Sequence, residues 1–174
     1  MASTTFNNLP EEKKTIIRNA LLNEFSQHNL ADAQVARIVK EAGIARGAFY
    51  KYFADLTDAY RYLYRYVLQE LHDYSIREHR LLTADEYVTQ VADFLHHVNG
   101  CQYYELVKRH FTVNEALLDA QNDGSPLRPI NAIEWAIMTL VHEAIKEGLR
   151  HPEKCDAVLD CLRGSLTALL AKEG

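Results

Sequence analysis

The 174-residue sequence predicts an all-α fold, in which a small three-helix domain containing a helix-turn-helix precedes a larger helical domain. Three observations predict it. Apolar residues recur at the i, i+3, i+4 spacing of buried helix faces in one segment after another. Glycine and proline are few, 7 and 4 residues, so helices meet little interruption. Between Ala33 and Phe53 two short amphipathic stretches are parted only by Ala42-Gly43-Ile44. A composition 48% hydrophobic and 25% charged is that of a globular chain with a core and excludes disordered and collagen-like classes.

The first helix is expected to begin at Pro10, which suits the first helical position, with Glu11 and Glu12 facing the positive end of the helix dipole. Ile16, Ile17, Ala20, Leu21 and Phe25 make one apolar face, and the helix ends near Gln27 to Asn29. A second helix of about three turns starts at Asp32 or Ala33 and turns Val35, Ile38, Val39 and Ala42 inward. Gly43 takes a left-handed backbone without a Cβ clash, which suits a tight reversal. The third helix, Ala45 to about Phe53, buries Phe49 and Phe53 with Ile44 as plug.

A fourth helix opens near Asp55 to Thr57 and is expected to reach Arg77 or beyond, with Leu63, Val67, Leu71 and Tyr74 in a heptad-like row. Thr83 to Glu86 has the form of a capping box, the helix behind it carries Val88, Val91, Ala92, Leu95 and Val98, and Asn99-Gly100 stops it. Two further segments follow, Cys101 to about Phe111 and Asn114 to Ala120, then a loop from Gln121 to Pro129. The last two helices, Ile130 to Leu149 and Glu153 to Ala171, flank a break at His151-Pro152. Both are apolar on more than one narrow stripe, which points to a homodimer built on this pair.

The net charge of −5 hides an uneven distribution. Residues 1–56 hold seven basic and six acidic side chains, a net +1, and the remainder is −6. Within 33–53 only Glu41 opposes Arg37, Lys40, Arg46 and Lys51, a local +3 suited to an acidic ligand such as nucleic acid. No basic n-region followed by an apolar stretch stands at the start, and no apolar run approaches the roughly 18 residues of a membrane span, so a cytoplasmic protein without a membrane partner is expected. Cys101, Cys155 and Cys161 form no C-x-x-C and are read as free thiols. No catalytic residue, metal or cofactor is expected: the position where His142-Glu143 would need a second histidine is Lys146, adjacent His96 and His97 point about 100° apart on a helix, and no nucleotide or nucleophile motif occurs.

A helix fits the major groove, where side chains near its N-terminal end reach base edges while flanking groups hold phosphates. The third helix supplies that inventory. Arg46 can pair bidentately with a guanine, and small Ala45, Gly47 and Ala48 let the backbone come close. Tyr50, Lys51 and Tyr52 offer a ring for a thymine methyl, a charge and a hydroxyl for phosphate, and Gln34 and Arg37 stand at the groove edge. Gly43 to Phe53, G-I-A-R-G-A-F-Y-K-Y-F, preceded by V-A-R-I-V-K-E-A, resembles the N-terminal domain of the TetR family of transcriptional regulators over roughly Pro10 to Tyr64. The resemblance implies a DNA-binding domain at 1–56 and a helical ligand-binding and dimerisation domain at 57–174. By position, Arg46, Gly47 and Ala48 stand where the family touches bases, Tyr50 and Tyr52 where it touches backbone and thymine, and Gln34 where a hydroxyl residue commonly holds phosphate. Three residues depart from the family pattern. Val39 replaces a usual Ala, Ala48 a usual Thr, and Leu56 a usual phosphate-binding Lys whose contact is lost or passes to Thr57.

The expected function is that of a ligand-responsive transcriptional regulator, a repressor that binds a pseudo-palindromic double-stranded DNA operator as a dimer and is released by a small-molecule effector. Phe94, His97, Tyr104, Phe111, Trp135 and Met138 are the expected pocket residues, apolar walls with a few polar anchors. The alternative is a helical adaptor or ligand-binding protein on the same scaffold that has lost operator binding.

Overall fold

The computed structural model describes residues 2–71, 81–121 and 131–171, and among these every regular element is helical. The chain packs as two compact units, one of residues 1–70 with 105–121 and the other of residues 71–104 with 122–174.

The first unit opens with an element the periodicity does not reveal. Helix α1, Thr4–Asn7, is a single turn whose N-cap is Ser3, with the Ser3 hydroxyl accepting from the Phe6 amide at 3.2 Å. Helix α2, Glu11–Gln27, begins one residue later than expected because Pro10 takes the N-cap position, and its buried side is Ile17, Ala20, Leu21, Glu24 and Phe25. Ile16, read as part of that face, is 46% exposed: it sits one residue, hence about 100°, off the buried row. Helix α3, Val35–Glu41, begins two residues later than the start read at Ala33, since Asp32 closes a turn and Gln34, with extended backbone, takes the N-cap position. Helix α4, Arg46–Tyr52, is joined to it through Gly43, whose φ of 63° is the left-handed conformation the reversal requires.

Helix α5, Leu56–Glu70, starts with a reciprocal cap in which Asp55 Oδ1 accepts from the Asp58 amide at 2.7 Å and Asp58 Oδ2 from the Ala54 amide at 3.1 Å. Ala59, Tyr60, Leu63 and Val67 are its buried residues. The expected continuation to Arg77, with Tyr74 in the heptad-like row, falls on residues outside those described. The core of this unit is aromatic. Phe6, Phe25, Phe49, Phe53 and Tyr60 are fully enclosed, each contributing about 1.5–3 kcal/mol by leaving water. Phe6 meets Tyr52, Phe53 and Tyr62 at centroid distances of 5.7, 5.0 and 4.9 Å, and Phe25 meets Tyr60 edge-on at 5.0 Å.

The segments expected at 101–111 and 114–120 are one helical path. Helix α7, Tyr104–Arg109, passes through a π-helical turn, His110–Asn114, directly into α8, Glu115–Gln121. No break is needed because the wide turn absorbs the irregularity while the chain remains helical. Leu106 and Val107 are buried, as is the side chain of Asn114 at 0% exposure. Asn114 Oδ1 accepts from the Leu30 amide at 2.9 Å, its Nδ2 donates to the Tyr60 hydroxyl at 3.3 Å, and that hydroxyl lies 3.1 Å from His110 Nδ1. Arg109 Nε donates to the Ser26 carbonyl at 2.7 Å. The loop leading into α3 is thus held from α5 and from the π turn.

In the second unit the capping box is formed as read: the Thr83 hydroxyl accepts from the Glu86 amide and Glu86 Oε2 from the Thr83 amide, starting helix α6, Ala84–Asn99. Helix α9, Ala132–Arg150, is capped by Asn131, whose Oδ1 accepts from the Glu134 amide at 2.8 Å. A short 3₁₀ turn, Pro152–Lys154, separates it from α10, Cys155–Leu170. Val88, Val91, Leu95, Val98, Ile137, Val141, Leu149, Leu162 and Leu166 are among the buried apolar residues of α6, α9 and α10. Gly148 lies so close to α6 that a Cβ there would stand 2.6 Å from Leu95 Cδ1. The loop read at Gln121 to Pro129 lies, after Gln121, outside the described residues. Among those described, no helix is long and apolar enough to cross a membrane, and no three metal-ligating side chains converge.

Candidate nucleic-acid interface

Helix α4 is short because Ala45 before it and Phe53 after it both have extended backbone. Its two turns divide cleanly. Phe49 and Tyr52 point into the aromatic core, whereas Arg46, Gly47, Tyr50 and Lys51 are exposed. Arg46 and Tyr50 stand one turn apart on the outer face: the guanidinium Nη2 donates to the Tyr50 hydroxyl at 3.3 Å, and its carbon lies 5.7 Å from the ring centroid. The pair presents a planar donor fork beside an aromatic edge, the combination that addresses a guanine and a neighbouring pyrimidine methyl. Ala45 and Gly47 are exposed, Ala48 is half-buried, and space is open around Gly47. Close backbone approach there is unhindered.

The remaining expected contacts are placed less uniformly. Gln34 is exposed at the N-cap position of α3. Thr57, half-buried in the first turn of α5, shares a shallow cleft with Tyr50, Asp55 and Leu56. Arg37 and Tyr52 carry internal duties. Arg37 Nη2 donates to Glu24 Oε1 at 2.6 Å and to the Asp32 carbonyl at 2.9 Å, and Nε to Glu24 Oε2 at 2.8 Å. Glu24 also accepts the Gln34 amide at 2.7 Å. This carboxylate ties the N-terminus of α3 to α2. Burial pushes the Glu24 carboxyl up, but the hydrogen bonds from Arg37 and from the Gln34 amide outweigh it and hold it below the usual range. Tyr52 is 6% exposed and lies edge-on against Phe6, so its ring belongs to the core. The physical reason is periodicity: Tyr52 lies three residues beyond Phe49 and shares its buried face. Lys40, Arg46 and Lys51 are the exposed cations of 33–53, with Arg37 held by Glu24.

The expected pocket residues are not gathered in one place. Phe94 and His97 on α6 are half-buried, Trp135 and Met138 on α9 are 55% and 60% exposed, and Phe111 belongs to the first unit. Of the six, Tyr104 alone lines a 280 Å³ cavity in the second unit, together with Leu95, His96, Leu149, Cys155 and Leu159. Two features escaped the sequence reading. Residues 2–9 dock on α4 through Ser3 and Phe6, a possibility signalled only by a Ser that precedes a lone Phe by three residues. Nothing in the sequence around Asn114 marks a polar residue as buried.

Two short helices joined through a left-handed glycine, the second with an outward basic and aromatic face, form a helix-turn-helix whose exposed face suits nucleic acid. Residues 17–56 match the profile of the bacterial regulatory proteins, tetR family. The matched stretch runs from within α2 through the helix-turn-helix to the first residue of α5. Its fold is similar to that of a TetR family transcriptional regulator from Chloroflexus aurantiacus J-10-FL, with a TM-score of 0.52 and 22% identity over 97% of this chain and 96% of that one. It is similar also to a TetR transcriptional regulator from Rhodococcus sp. RHA1, with a TM-score of 0.51 and 16% identity over 94% and 99% of the two chains. A comparison with curated protein sequences returns no match.

Proposed function

We propose that this chain is a transcriptional regulator of the TetR family, a cytoplasmic repressor that binds a pseudo-palindromic operator as a homodimer and leaves it when a small molecule binds. The observation that carries the reading is the outward Arg46–Tyr50 pair on α4, with Lys51 beside it and the small Gly47 between them. In this reading residues 1–56 hold the DNA and residues 57–174 the effector and the dimer contact. Arg46 reads a base, Tyr50 packs on its neighbour, and Lys51, Gln34 and Thr57 hold phosphates. Trp135 and Met138, exposed on α9, join the apolar surface of α10 in the dimer. A two-fold axis then sets two α4 helices about 34–36 Å apart, one turn of duplex. The cavity beside Tyr104 and Leu159 suits a small effector, which acts by binding one arrangement of the dimer better than another.

Selection of bound sequences from a random duplex pool tests the reading. A pseudo-palindrome should be enriched. On the enriched duplex Arg46→Ala should cost about 1–3 kcal/mol and relax base preference, while Lys51→Ala should weaken all duplexes evenly and reduce the salt slope by about one. An unenriched pool would favour the adaptor alternative, and equal losses for both variants on every duplex would overturn the roles given to Arg46 and Lys51.

A further inference from the structure

We propose that Ser3 and Phe6, which precede the family-matched residues 17–56, form a positioning strap that sets the last turn of the recognition helix and with it the aim of the base-reading face. The last carbonyls of a helix lack intrahelical donors, and in the seven-residue α4, where the Phe53 amide reaches the Phe49 carbonyl, those of Tyr50, Lys51 and Tyr52 are left over. Many helices satisfy some of them with a left-handed residue just past the end. Helix α4 does not: Phe53 leaves it with φ −132° and ψ 141°.

Ser3 supplies donors instead. Its amide donates to the Tyr52 carbonyl at 2.9 Å, and its hydroxyl donates to the Lys51 carbonyl at 2.6 Å. The same hydroxyl accepts from the Phe6 amide, so one oxygen ends one helix and begins another. Phe6 anchors the arrangement. Its ring is fully buried against Tyr52, Phe53 and Tyr62, and with it in place Tyr52 stays turned into the core. The strap therefore acts on the turn that carries Tyr50 and Lys51 without touching either side chain. It contributes no charge and needs no contact with DNA, and its effect falls on contacts that depend on orientation. The consequence for recognition rests on the DNA-binding reading above, while the hold on α4 does not.

Full-length Phe6→Ala, Phe6→Leu and Ser3→Ala variants test this, using site-resolved amide exchange together with binding to the duplex enriched by the unaltered chain and to a scrambled duplex. Phe6→Ala should speed exchange at residues 50–53 while α2 stays protected. It should lose about tenfold or more on the enriched duplex, the scale of one misplaced bidentate contact, with little change on the scrambled one. Phe6→Leu, which refills most of the space, should restore most of both, and Ser3→Ala should show the same pattern in weaker form. Unchanged exchange at 50–53, exchange rising equally along α2, or equal losses on both duplexes would overturn the strap. If the pool enriches nothing, the DNA reading fails and the exchange measurement still decides whether residues 3–6 hold α4.

Discussion

Replacing Asn114 with Ala should be among the most damaging single changes in the first unit, although the residue is neither apolar nor near α4. The side chain is wholly buried and bridges two partners, accepting from the Leu30 amide at 2.9 Å and donating to the Tyr60 hydroxyl at 3.3 Å. Truncation leaves the amide of Leu30, a residue only 6% exposed, without its acceptor. An orphaned buried donor costs about 1–3 kcal/mol, and the lost bond to Tyr60 adds about 1 kcal/mol. The expected loss is about 2–4 kcal/mol, a large part of the roughly 5–15 kcal/mol that holds a folded domain. Urea unfolding followed by far-UV ellipticity reads the total, and exchange of the Leu30 amide reads the local effect. Tyr60→Phe alone should cost about 1 kcal/mol. Its combination with Asn114→Ala should fall short of the sum by about 0.5 kcal/mol or more, because both remove the same bond. A loss under about 0.5 kcal/mol for Asn114→Ala, or strict additivity of the pair, would refute the network's role in stability.

Other expectations follow from single observations. Gly43→Ala should cost about 1–2 kcal/mol in thermal or chemical unfolding, purely through the left-handed backbone, because no atom stands within 4 Å of the added methyl; no loss would mean the turn can re-form with negative φ. Glu24→Gln should cost about 1–2 kcal/mol at neutral pH, less than for a fully enclosed pair because the Arg37 side chain is 37% exposed. Since the folded-state pKa of Glu24 is depressed, its contribution is complete above the ordinary carboxyl range near about 4.3 and is lost as pH falls through the lower folded value. The stability gap between the two proteins should therefore close in acid; a gap independent of pH would exclude ionised Glu24 as the cause. Gly148→Ala should destabilise by about 1–2 kcal/mol, overpacking against Leu95 outweighing the helix propensity gained, and Leu95→Val in the same chain should recover part of the loss in urea titrations.

Much of this architecture is legible before any coordinates. Apolar spacing places α2, α6, α9 and α10 within a few residues, and Gly43 and the Thr83–Glu86 box stand where their chemistry requires. What escapes is burial decided by distant partners. Tyr52 reads as one more exposed tyrosine of a recognition helix until Phe6, some 46 positions earlier, is found against it. Arg37 reads as a phosphate contact until Glu24 is seen to hold it, and a glutamate on the buried face of a helix has no local mark. The six expected pocket residues share only their chemical type, and type says nothing about which helix faces share a cavity.

The π turn at His110–Asn114 constrains chain length as well as residue identity. Each residue of an α-helix advances the face by about 100°. A single residue accommodated in a wide turn therefore sets the angular phase of everything after it. Deleting one residue from 111–113 would let the segment close into regular α-helix, and everything after it would rotate by about a quarter turn or more relative to α7. Asn114 would lose its line to Leu30 and Tyr60 even though every one of those residues was still present. Among related chains, a one-residue gap in this stretch would mark a change of helical phase between sequences that otherwise align.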